Sequence, residues 1–160
     1  MKKFNYLLQA ILIYILFFIG RVLGLNFSRI IFSYLFSLVG PIFKSKTIVK
    51  KNLNIFSQNL SSDREDKIVQ NMWKNYGMTF IEYIFLNFFR KKNNHMTIYG
   101  EDVLSNIIEK KKPVIFISGH FANFELMSME IVKKNIDLAT IYRPLNNFFL
   151  KSFMENLRKK

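Results

Sequence analysis

His120 and Glu125 stand five positions apart in VIFISGHFANFELMSM, residues 114–129. An imidazole oriented by a carboxylate is the base-and-orienter pairing of acyl-transfer chemistry. The carboxylate accepts from one ring nitrogen and leaves the other to take a proton. A spacing of five splays two side chains that share one helix. It suits a His in a turn and a Glu in the first turn of the next helix, where the helix dipole favours a carboxylate. The alternative is a His that only caps and fills space between two buried elements. Rival chemistries fit less well. A metal site needs three or four ligands, more than this pair supplies. Ser118 precedes Gly119-His120, but Phe116 stands where a nucleophile elbow requires Gly. No glycine-rich phosphate loop is present, and His95, in the polar run RKKNNHM, reads as a solvated loop residue.

The elements around the pair follow from pattern. VIFIS (114–118), after Pro113, is a short β-branched run and reads as a buried strand. TIYG (97–100) and DLATIY (137–142) read as two more strands. Between them EDVLSNIIEKKK (101–112) reads as a helix ending in three Lys, which suits its C-terminal dipole. Asn123 is placed to cap a helix running to about Lys134, and the chain looks helical from Leu145 onward. This alternation predicts an α/β domain with a parallel sheet. His120 would then follow the carboxyl end of a strand, where open α/β sheets hold their sites. Upstream, Ser61-Ser62-Asp63 offers caps for an amphipathic helix with a 3.6-residue apolar period to about Asn87.

The first forty-odd residues differ. Residues 4–43 carry two charges, Arg21 and Arg29. FNYLLQAILIYILFFIG (4–20) follows Lys2-Lys3 and is just long enough to cross a bilayer as a helix. No small-x-small cleavage site follows it, so a removed signal peptide is not expected. IIFSYLFSLVG (30–40) is expected as a second helix in or on the interface, stopping at Gly40-Pro41. Lys44, Lys46, Lys50 and Lys51 then fall at headgroup level. The division expected is a membrane-associated helical segment over 1–43 and the α/β domain over 44–160. Composition agrees: 160 residues, 18 Phe and a net charge of +13 suit an anionic membrane surface. The basic residues are scattered and no nucleic-acid-binding motif appears, so nucleic acid is not expected as a partner. With no Cys, the chain has neither disulfides nor thiolate metal sites.

His120 and Glu125 together form the H-x4-[D/E] signature of glycerolipid and lipid A acyltransferases. Four blocks match the lipid A late acyltransferase family in order: KKNLNIF (50–56), MWKNYGMTFIEY (72–83), SGHFANFE (118–125) and YRPLNNFFL (142–150). The chain resembles that family, whose members add lauroyl or myristoyl chains, over about residues 1–160. The resemblance implies a glycerolipid-acyltransferase-like α/β domain after an N-terminal membrane helix, on the cytoplasmic face of the inner membrane. It implies an acyl-acyl carrier protein as donor, with no cofactor or metal, and a hydroxyl of a lipid A precursor as acceptor. His120 would be the base and Glu125 its orienter. Arg143, Asn123 and Arg158 would contact substrate; Arg158 lies near the position of an essential family Arg, within ENLRKK. Family members are nearly twice this long, and their later strands, Asp-containing block and C-terminal helices have no counterpart here. A fragment of such an enzyme, active or not, is therefore expected. Two rivals stand beside this reading: a lysophospholipid or mannoside acyltransferase with the same base, and a non-catalytic basic membrane-surface protein.

Overall fold

The computed structural model describes the whole chain except residues 44–45, 58–59, 93–94, 120 and 160, and the side chains of 46 and 159. Seven helices are seen among the described residues: α1 (Lys2–Phe43), α2 (Lys46–Phe56), α3 (Ser62–Glu82), α4 (Leu86–Lys91), α5 (Glu101–Lys110), α6 (Glu125–Lys133) and α7 (Phe148–Lys159). A single 3-10 turn, Tyr83–Phe85, joins α3 to α4. Two compact units result, one of Ile11–Ile84 and one of Met1–Ala10 with Phe85–Lys160.

The expected α/β architecture is not found. Among the described residues there is no strand. The three segments read as strands, 97–100, 114–118 and 137–142, run as irregular chain. The physical reason lies in pairing. A strand exists only through a hydrogen-bonded neighbour, and these segments form no ladder. Their apolar side chains are accordingly not enclosed: Ile115 and Ile117 are 91% and 93% exposed, and Ile141 is fully exposed.

α1, whose residues from Ile11 onward belong to the unit Ile11–Ile84, is long and apolar enough to cross a membrane. Its helix is broken at Gly24, whose φ of 76° and ψ of 167° lie in a region essentially reserved for glycine. The buried Ser28 hydroxyl reaches back over the break and donates to the Gly20 carbonyl at 2.7 Å. Pro41 does not stop the helix as expected; it sits in the last turn, which continues to Phe43.

α3 packs along α1 through the block MWKNYGMTFIEY. Gly77 lies so close that a Cβ there would sit 2.1 Å from the Phe32 carbonyl oxygen. Trp73 covers Gly40 and Ile81 covers Gly20 in the same way. The Phe80 ring lies 4.9 Å from Phe17 and 5.2 Å from Phe36. Small residues on one helix thus receive large ones from the other, at the i, i+4 spacing that puts them on one face. Arg29 donates to Glu82 within this contact. Ser61 begins α3 through its backbone carbonyl, which accepts from Arg64 and Glu65, and its side chain makes no capping bond.

Candidate active site

The second unit is organised around α4, α6 and α7. Leu86 and Phe89 of α4, Ile131 of α6 and Leu150 of α7 form its buried apolar centre. Two cations tie the helix ends. Lys133, in the last turn of α6, donates to the carbonyls of Phe89 and Lys92 at the end of α4, and to Glu130 at 2.6 Å. Arg90 of α4 donates to the carbonyls of Leu157 (2.5 Å) and Arg158 (3.2 Å) at the end of α7. These carbonyls have no intrahelical donor, and positive charge suits that end of a helix. Asn147 opens α7: its Oδ1 accepts from the Phe149 N–H at 3.1 Å, and its Nδ2 donates to the Tyr6 carbonyl at 2.8 Å.

Glu125 is the first residue of α6, as the spacing argument required. The chain turns sharply before it: the Phe121 N–H donates to the Gly119 carbonyl, and Ala122 has a φ of 47°. His120 lies outside the described residues, so the geometry of the pair is not on view. Asn123 is buried but does not cap the helix with its side chain. Phe124 already has helical φ and ψ, and Asn123 instead offers its backbone carbonyl to the Leu126 N–H.

The largely buried Glu125 carboxylate is held by Arg158, whose Nε and Nη2 both lie 2.7 Å from Oε1. The Arg158 guanidinium also sits 5.6 Å from the centre of the Tyr142 ring, within cation–π range. The Tyr142 hydroxyl donates to Glu155 Oε1 at 2.7 Å. That bond raises the Tyr142 pKa, joined by desolvation and the Glu155 charge, while Arg158 opposes. Burial lowers the Arg90 pKa, and the Glu125 charge pulls it back up.

A profile of one protein family, described as bacterial lipid A biosynthesis acyltransferase, matches residues 1–160. The chain belongs to that family. No curated protein and no solved structure matches it. Family membership gives this chain an acyltransferase character in general, in keeping with the four blocks read from its sequence.

The sequence-derived residues of this acyltransferase are distributed unevenly. Glu125 and Arg158 meet. Asn123 is buried two residues before Glu125. Arg143 is exposed and makes no ion pair among the described residues. His95 departs from its solvated reading. Its side chain is about nine-tenths buried, 3.8 Å from Glu130 and stacked near Phe89 at 5.0 Å. Arg90, Tyr142 as a stacking partner and Glu155 were not read as site residues. Arg90 is disguised as the first member of the basic run RKK. No cluster of three metal-ligating side chains occurs among the described residues.

Proposed function

We propose that this chain transfers a fatty acyl group from an acyl-acyl carrier protein to a hydroxyl of a phosphorylated glucosamine lipid, a lipid A precursor. His120 removes the acceptor proton as the oxygen attacks the thioester carbonyl. The C–S bond breaks and the thiolate leaves with the proton carried by the imidazolium. Glu125 orients the imidazole. Arg143, exposed and cationic, binds phosphate, and Asn123 contacts substrate. The observation that carries the reading is the seat of Glu125: it starts α6, is 13% exposed, and is fixed by two Arg158 nitrogens. A carboxylate offers about four lone-pair positions, so this pairing leaves room for an imidazole N–H. Because its guanidinium is taken up by Glu125, Arg158 is assigned to orienting that carboxylate rather than to substrate.

The reaction is assigned to the cytoplasmic face of the inner membrane, with α1 as anchor and anionic lipid as partner. α2 supports the lipid assignment. Ile48, Ile55 and Phe56 are exposed on one side of it, and Thr47, Lys50, Lys51 and Asn54 line an open cleft of about 330 Å³ on the other. Such a helix suits a headgroup layer. The test is transfer by the detergent-purified chain, given labelled acyl-acyl carrier protein and a tetra-acylated precursor. Transfer is expected from the wild type and not from His120→Ala. Equal turnover by both would overturn the proposed base.

A further inference from the structure

We infer that Arg90 is a positioning residue that holds Arg158 against Glu125. Three contacts converge on it. Its Nη1 donates to Asn87 Oδ1 at 2.6 Å, which fixes the plane of the guanidinium. Its Nη2 bridges two consecutive carbonyls, those of Leu157 and Arg158. The second belongs to the residue whose side chain grips Glu125 through Nε and Nη2. Arg90 thus fixes the backbone from which the gripping side chain springs. Glu125 in turn acts on the Arg90 charge. A simple helix cap needs only a cation near the last carbonyls. The planar fork, anchored at one end by Asn87, adds direction, which a Lys cannot reproduce. Arg90 touches neither substrate nor the reacting atoms. Its bearing on acyl transfer rests on the catalytic reading above; its hold on Arg158 does not.

The experiment is solvent exchange of the Arg158 side-chain Nε–H, followed by nitrogen-15 NMR on the full chain in detergent. The resonance is assigned by its loss in Arg158→Lys. In the wild type the Nε–H is hydrogen-bonded and slow to exchange. Arg90→Met is expected to speed that exchange at least tenfold while the backbone amides of α7 from Lys151 to Glu155 keep their protection. Arg90→Lys, which keeps the charge but not the fork, is expected to fall between the two and is read in place of Arg90→Met if that variant does not fold. Unchanged Arg158 exchange, or an equal loss of protection along all of α7, would overturn the inference. In the latter case Arg90 is only a structural cap. Where the wild type transfers acyl groups, Arg90→Met is expected to lower kcat with little change in KM. A wild type without transfer counts against the catalytic reading and leaves the exchange result to decide the role of Arg90.

Discussion

Arg29 donates its Nε–H to Oε1 of Glu82 across 2.6 Å, within a contact between α1 and α3 built mainly from Phe, Ile and small residues. Glu82 is 9% exposed at the side chain and Arg29 35%. An Arg in an apolar helix is costly unless paired, and Glu82 gives Arg29 a close carboxylate partner. Glu82→Leu replaces the carboxylate beside that cation with an apolar side chain. It is expected to destabilise by about 2–3 kcal/mol, below the usual range for a broken buried pair because Arg29 is partly solvated. The double change Arg29→Met with Glu82→Leu should recover most of that loss. Chemical unfolding in detergent of the two single variants and the double variant measures the coupling. Additive losses would remove the pair from the account.

Gly77 tests the same contact sterically. A Cβ at this position meets the Phe32 carbonyl oxygen at 2.1 Å, and this oxygen is backbone that cannot rotate aside. Gly77→Ala therefore has to push the two helices apart, at a cost of about 1–3 kcal/mol typical of overpacking. Gly40→Ala meets the Trp73 ring first, a side chain rather than backbone, and should cost less. Melting temperatures of the two variants give the order, and a reversed order would contradict the packing described.

The helices were largely legible in the sequence, and the sheet was not. α3 follows from its apolar period and acidic first turn, α5 and α6 from acidic first turns and basic last turns, and α7 from its run of sequence after Leu145, all local properties of the chain. Glu125 at a helix start is local in the same sense. Burial of Ile115 or Ile117 is different, because a β-branched run is enclosed only by neighbours it does not itself encode. His95 shows the converse: its polar sequence neighbours gave no sign of Phe89 and Glu130, which approach it from other elements. Arg158 drew notice through family resemblance, but its partner Glu125, 33 residues away, is visible only in the fold. Glu82 lies within MWKNYGMTFIEY, yet nothing in that stretch points to Arg29, 53 residues earlier.

α2 offers a prediction free of any catalytic assumption. The chain has no Cys, so one introduced Cys takes a single environment-sensitive fluorophore. A probe at Ile55, 85% exposed on the apolar side, is expected to shift to the blue on vesicles containing anionic lipid. The shift should be smaller on neutral vesicles and weaken as salt rises, since Lys50 and Lys51 act through screened attraction. A probe at Asn54, on the cleft side with the lysines, is expected to stay in water. Identical responses at the two positions would show that α2 does not lie with its apolar side in the membrane.

Tyr142 reports on the surroundings of Arg158 through its titration. Its hydroxyl donates to Glu155, and the hydrogen bond, desolvation and the Glu155 charge all favour the neutral phenol, against the opposing pull of Arg158. The pKa in the folded chain therefore lies above the ordinary value near 10. A raised pKa means that the folded state holds its proton more tightly than the unfolded state does. The stabilisation is then fully present below the unfolded pKa and is lost as pH rises through the folded one. Absorbance titration of phenolate, with Tyr142→Phe subtracted to isolate this group, is expected to place its midpoint above that of free tyrosine. Glu155→Gln should bring the midpoint down by removing the negative charge, and Arg158→Met should move it further up by removing the positive one. A midpoint indifferent to both changes would mean that neither charge reaches the ring, and would dissolve the stacked arrangement of Tyr142 and Arg158.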